Sequence, residues 1–250
     1  MNFHILTLFP EIVRPYFESS IMRKAIERGL VSCNIVNIRD FAHDKHKTCD
    51  DGIYGGGAGM LMLPEPLGAA IESLGLEKEK RTVIYVTPAG KTWTQKAAES
   101  FRFAENIVLI CGRYEGVDER IIERYVDAEI SVGDYVLSSG EVAALVIADS
   151  IYRLCDGVIS GESLAEESFT DGLLEYPQWT RPEEYAGMRV PEVLLSGHHE
   201  NIRKWRLEKR LQKTLKNRPD LIAELQKSGT MSAECSAILE KIANDKSCLR

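Results

Sequence analysis

Ser131-Val132-Gly133-Asp134-Tyr135-Val136-Leu137-Ser138-Ser139-Gly140-Glu141 is the stretch on which the fold turns. A strand-like segment runs into Ser131, two glycines frame a loop, and a long apolar helix starts at Glu141. Ser138 and Glu141 have the spacing of a capping box. Twenty residues earlier the pattern recurs: Ile107 to Ile110 reads as a strand, and Cys111-Gly112-Arg113-Tyr114-Glu115-Gly116 as the turn that follows it. Glycine lets backbone approach a ligand closely, and the unpaired N–H groups at a helix start suit a polar ligand. Loops of this kind at the carboxyl ends of neighbouring strands are where open α/β sheets bind ligands. The alternative is two tight turns in an ordinary α/β protein.

Apolar runs rich in branched residues lie at 3–9, 31–38, 82–87, 106–111 and 128–132, and helical patterns at 67–74 (ended by Gly75), 94–103 and 141–154. Strands alternating with helices predict a mostly parallel α/β sheet. The helix from Glu141 is apolar on most sides, which predicts burial in a subunit interface. Residues 157–175 lose periodicity and hold Gly, Ser, Thr and five acidic residues, the composition of a mobile linker. From Tyr176 the pattern turns helical, polar and basic. The expected division is therefore an α/β domain at 1–160, a flexible linker at 161–175 and a small all-α domain at 176–250.

A chain of 250 residues with 44% hydrophobic and 28% charged residues has the balance of a globular protein with a substantial core. No apolar run approaches the ~20 residues of a membrane span. The start, Met1-Asn2-Phe3-His4-Ile5-Leu6, reads as a strand rather than a basic leader. Cysteines at 33, 49, 111, 155, 235 and 248 form no Cys-x-x-Cys pair, so neither zinc nor a disulfide framework is indicated, and a cytoplasmic protein with reduced thiols is expected. His43 with His46, and His198 with His199, lack the acidic or thiol partners of a metal site. Gly90-Lys91-Thr92 ends like a P-loop, but Tyr85 stands where its first glycine must be. Gly55-Gly56-Gly57-Ala58-Gly59 runs into Met60 where a dinucleotide turn needs its last glycine.

A net charge of −7 argues against nonspecific coating of nucleic acid, yet 196–218 carries eight Lys or Arg against Glu200 and Glu208. Arg203, Arg206, Arg210 and Lys213 share one helical face, with Leu207, Leu211 and Leu215 on another. That face is either solvated or bound to a nucleic-acid backbone.

Cys-Gly-Arg-Tyr-Glu-Gly-Val-Asp-Glu-Arg (111–120) and Gly-Asp-Tyr-Val-Leu-Ser-Ser-Gly-Glu (133–141) resemble signature segments of the bacterial tRNA (guanine-N1)-methyltransferases, of the SPOUT methyltransferase family. Leu-Phe-Pro-Glu (8–11), Asp-Asp-Gly-Ile-Tyr-Gly-Gly-Gly-Ala-Gly-Met (50–60), Tyr-Pro-Gln-Trp-Thr-Arg-Pro (176–182) and Leu-Ser-Gly-His-His (195–199) agree in order and spacing. The resemblance weakens only after about Arg218. It implies a trefoil knot on the C-terminal side of the sheet, an exception to the rule of unknotted chains. It also implies a homodimer with each active site at the subunit interface, and methylation of guanosine 37 beside the tRNA anticodon.

The methyl donor implied is S-adenosylmethionine, held by three loops through Tyr85, Val86, Thr87 and Pro88, then Gly112, Tyr114, Glu115 and Gly116, then Ser131, Val132, Gly133, Asp134, Tyr135, Val136, Leu137 and Gly140. An adenine needs an apolar slot with main-chain groups to read its edge, and these residues offer both. Core packing is the alternative for Tyr135 and Leu137. Guanine N1 carries a proton at neutral pH, so methylation needs a base, and a cation beside the neighbouring carbonyl would stabilise the charge that develops there. The family pattern puts the cation at Arg153 and the base at Glu167 in Ala-Glu-Glu-Ser-Phe (165–169), where Asp-Ser-Phe is usual; Asp171 is the fallback. Gly59, Ser168 and the basic face are the implied RNA contacts, and magnesium dependence is implied without a recognisable site. A noncatalytic RNA-binding member of the same fold, its base lost through the change to Glu167, is the competing reading.

Overall fold

The computed structural model describes residues 1–244, so Cys248 lies outside the described residues. The chain divides into two compact units, Met1–Ser160 and a second from Gly161 on. In the first, β1 (Asn2–Thr7), α1 (Pro10–Phe17), α2 (Ser20–Glu27) and β2 (Ser32–Asn37) are followed by a hairpin of β3 (Asp50–Gly52) and β4 (Met60–Met62). Then come α3 (Pro64–Glu72), β5 (Arg81–Thr92), α4 (Gln95–Phe101), β6 (Asn106–Cys111), α5 (Glu119–Tyr125), β7 (Ala128–Ser131) and α6 (Gly140–Tyr152). Five strands make one sheet in the order β2-β1-β6-β5-β7, every pair parallel.

All six residues of β6, the central strand, are buried, as a parallel strand covered on both faces must be. Leu6, Val83, Val108 and Ile110 turn to one face and pack with Leu67, Ala70 and Ile71 of α3 and Ile121 of α5. The alternate residues Ile5, Ile84, Ile107 and Leu109 are fully buried on the other face, and α6 lies against β1, β5 and β6. The local signals are ordinary ones. Pro64 opens α3 at a position where no N–H is needed. Thr94 caps α4 by accepting the N–H of Ala97, and Asp118 caps α5 by accepting that of Arg120.

Two local expectations are corrected. The helix expected at 141–154 begins at Gly140 behind Ser139, whose side chain makes no capping bond. Glu141 is fully buried and bonded to Thr7 instead of reaching back to Ser138. A buried hydroxyl outcompeted the cap because a carboxyl removed from water must find a partner. The strand expected at 82–87 runs on to Thr92, with a register break between Val86 and Lys91. Gly90 lies in that break, and a Cβ on it would sit 2.4 Å from the backbone of Glu129 and Ile130. The glycine that looked like the end of a P-loop is there to let β5 pass against β7.

The second unit holds a short helix, α7 (Gly161–Ala165), a two-residue hairpin of β8 (Glu184–Tyr185) and β9 (Met188–Arg189), and then α8 (Glu192–Leu195), α9 (His199–Asn217), α10 (Pro219–Ser228) and α11 (Ala233–Asn244). Leu211 of α9, Ile222 of α10 and Ile242 of α11 form its core together with Leu173. Where sequence periodicity is lost, 161–175 folds onto this core: Leu173 is buried, and Thr214 accepts the N–H of Leu174 at 2.9 Å. One buried leucine is too small a pattern to show as a period.

Candidate active site

The register break in the middle of β5 and the carboxyl ends of β6 and β7 open into a single cleft lined by Tyr85–Pro88, Gly112–Gly116, Ser131–Gly133, Tyr135–Gly140 and Ala143. Of the residues expected to hold the donor, only Asp134 is outside this lining; its side chain points to solvent in an exposed turn. Tyr135, Val136 and Leu137 are 56%, 83% and 37% exposed, so core packing does not explain them. Tyr85 is buried at the floor, where its ring belongs to the core of the sheet.

Close backbone passage shapes the cleft. Gly140 donates its N–H to the carbonyl of Gly112 at 2.9 Å, and a Cβ on Gly140 would lie 2.6 Å from the nitrogen of Gly112. A Cβ on Gly112 would lie 2.9 Å from the Tyr85 ring. Gly133 has φ +147°, a conformation side-chain-bearing residues rarely adopt. The cradle thus suits a flat group held between backbone and the exposed apolar loop 135–137, with a polar end toward Glu115.

Arg113, Ser138, Ser139 and Ala143 also line the cleft and lie outside the expected set. Arg113 joins two of the loops: its guanidinium donates to the carbonyl of Ser138 at 3.0 Å and stacks 4.4 Å over the Phe9 ring. The Cys-Gly-Arg-Tyr-Glu-Gly cluster was the signal for it. β4 borders the third side, where Met62 donates to the carbonyl of Gly116 and Glu115 donates to that of Met60, both at 3.0 Å. Gly59, at φ +88°, sits where a Cβ would run into the Glu115 side chain at 2.4 Å, so this expected RNA contact borders the cleft.

The remaining expected residues are placed as follows. Arg153 is the C-cap of α6, half-buried. In the second unit, Glu167 and Ser168 are half-buried in the turn after α7, and Ser168 Oγ accepts the N–H of Glu175 at 3.0 Å. Asp171 is gripped by Arg210, whose Nη1 donates to it at 2.8 Å and whose Nη2 donates to its other oxygen. Burial raises the Asp171 carboxyl, but the Arg210 hydrogen bonds and charge outweigh it and hold it below the usual aspartate range. Arg203 pairs with Glu200 and Glu234, Arg206 with Glu166. Lys213 is exposed, with no carboxylate partner among the described residues. The four histidines weighed as metal ligands are exposed.

Comparison with known proteins decides the family. The family described as tRNA (Guanine-1)-methyltransferase TrmD matches residues 1–224. A tRNA (guanine-N(1)-)-methyltransferase of Treponema denticola is 61% identical over 245 residues, which cover 98% of this chain and all of that protein. Those of Borreliella burgdorferi and Treponema pallidum are 59% and 54% identical, covering 88% and 97% of this chain and 92% and 96% of theirs. The chain belongs to the tRNA (guanine-1)-methyltransferase family. The five-stranded parallel sheet with its flanking helices is the α/β fold expected of this SPOUT family. The activity is methyl transfer to guanine N1 of tRNA with S-adenosylmethionine as donor, and the noncatalytic reading finds no support. Among the described residues, no helix of this tRNA (guanine-1)-methyltransferase is long and apolar enough to cross a membrane.

Proposed function

We propose that this methyltransferase acts on guanosine 37 of tRNA, holds its methyl donor in the cleft beside the β5 register break and the ends of β6 and β7, and takes the N1 proton on Glu167 with Arg153 as the stabilising cation. The observation that carries this reading is the glycine-built cleft, because its backbone passes where side chains cannot and leaves a slot fit for an adenine. S-Adenosylmethionine supplies an activated methyl group. The protein's own residues do the rest. A carboxylate is a far weaker base than the guanine anion it must generate, so Glu167 acts only when placed against N1 as the new bond forms. Arg153 offsets the negative charge that deprotonation pushes onto the guanine oxygen. The base must leave its stack for chemistry on its Watson–Crick edge.

The Arg210 grip favours Glu167 over Asp171 as the base, since a carboxylate held in a bidentate ion pair is a poor proton acceptor. Of the four basic residues on this face of α9, Arg203 and Lys213 are proposed to meet the tRNA backbone, while Arg206 and Arg210 turn to Glu166 and Asp171; the three arginines line one cleft with His199 and Tyr176. A homodimer is part of the proposal. Most of α6 is buried against its own sheet, but Val142 and Val146, one turn apart, are exposed. A trefoil knot, the three-part division at 160 and 175 and a cytoplasmic setting belong to the same reading. So does magnesium dependence, though no three His, Cys, Asp or Glu side chains converge as ligands among the described residues. Methyl transfer to tRNA transcripts with guanosine at 36 and 37, at 37 alone or at neither tests the substrate. Methylation persisting without guanosine 37 would overturn the assignment.

A further inference from the structure

The arginines of α9 do more in this structure than present charge. Arg210 is only 13% exposed. Its three donor groups are committed to the segment after α7: Nη1 and Nη2 to Asp171, and Nε to the carbonyl of Leu174 at 3.2 Å. Thr214, one turn on, accepts from Leu174 and donates to the carbonyl of Arg210 at 2.8 Å. On the other side of Glu167, Arg206 stacks 4.5 Å over the Tyr176 ring and reaches Glu166 at 3.4 Å. The Tyr176 hydroxyl donates to the same Glu166 oxygen at 2.5 Å. Glu167 is therefore bracketed by two carboxylates, one residue before it and four after it, each tied to α9. Leu173, buried against Leu211, closes the bracket. An arginine this committed and this buried has no fork left for a phosphate, whereas a planar bidentate pair imposes orientation.

We propose that Arg210, assisted by Arg206, is a positioning residue that sets where Glu167 stands, acting through Asp171 and Glu166. This rests on the reading of Glu167 as the base. Arg210→Lys keeps the charge a tRNA backbone would feel and loses the fork that holds Asp171 and Leu174.

The test is a double-mutant cycle of Arg210→Lys and Asp171→Asn in the full-length protein, read as single-turnover methylation and as tRNA affinity. Each single variant should slow methylation about tenfold with tRNA affinity within twofold of the parent. The double variant should be no slower than either, because both break one link. Amide hydrogen exchange across 166–174 should rise in both singles. If the two losses multiply, or if Arg210→Lys weakens tRNA binding while the rate at saturation holds, Arg210 contacts RNA and the positioning role is wrong. Unchanged exchange across 166–174 would also overturn it. Glu167→Gln is run alongside: a rate left intact there refutes the base assignment, while raised exchange in the Arg210 and Asp171 variants would still report the clamp.

Discussion

Thr7 and Glu141, 134 positions apart, meet in a 2.6 Å hydrogen bond with both side chains fully buried. The Thr7 hydroxyl donates to Glu141 and accepts the N–H of Phe9 at 2.9 Å, so one side chain ties the end of β1 to the start of α6. Neighbouring Cys111 is pushed well above the usual thiol range, first by burial and then by the Glu141 charge. The second Glu141 oxygen is buried without a partner. Glu141 follows Gly140 in the chain, so the bond adjoins the glycine crossing of 112 and 140.

Thr7→Val keeps shape and removes both interactions, leaving the Phe9 N–H and the Glu141 carboxyl unmatched. Stability in urea should fall by about 2–3 kcal/mol. Thr7→Val with Glu141→Leu should cost less than the two single changes added together, since the orphaned acid is gone. Strict additivity would show that the contact carries no energy.

Gly133→Val places a branched side chain on a backbone at φ +147° with the Tyr135 ring 2.6 Å from its Cβ. Titration calorimetry should show donor affinity reduced more than tenfold, with circular dichroism unchanged. Parental affinity would remove 131–140 from the donor site.

Glu167→Gln keeps size and loses basicity, so the chemical step in single turnover should fall about 10²–10⁴-fold with tRNA and donor affinity preserved. Glu167→Asp should be tolerated better than Gln. A mild Glu167→Gln beside an Asp171→Asn loss of 10²-fold or more would move the base role to Asp171.

Arg210 lowers the Asp171 carboxyl in the folded chain. A carboxyl lowered on folding stabilises fully above its unfolded value, ~3.9 for aspartate, and loses that contribution as pH falls through the folded value. The stability gap between parent and Asp171→Asn should be constant from pH 7 to about 5 and shrink below about pH 4. Urea midpoints across that range check it; a gap that widens on acidification would contradict the pairing.

Mixing Arg153→Ala with Glu167→Gln protein should restore activity above either parent if each site draws on two subunits. Sedimentation that finds a fully active monomer at assay concentration would remove the dimer from the mechanism.

Much of the catalytic unit was legible in the chain. The strand at 106–111 is found at its expected limits, because a central parallel strand must be apolar throughout. The glycine-framed loops at 112–116 and 131–140 do line one cleft, and glycine is required there by the φ of +142° at Gly116 and +147° at Gly133 and by the close passage at Gly112 and Gly140. Composition and spacing are local properties, and these features are local. What the tertiary structure alone decided is which distant groups meet. Nothing in the order of residues pairs Thr7 with Glu141, lays Arg113 across Ser138, or turns the basic face of α9 inward onto Glu166 and Asp171. A charge pattern at helical spacing states which side chains share a face, but whether water, RNA or the chain's own carboxylates cover that face depends on packing. Long-range hydrogen bonds of buried groups are chosen by desolvation, which exists only once the chain has folded.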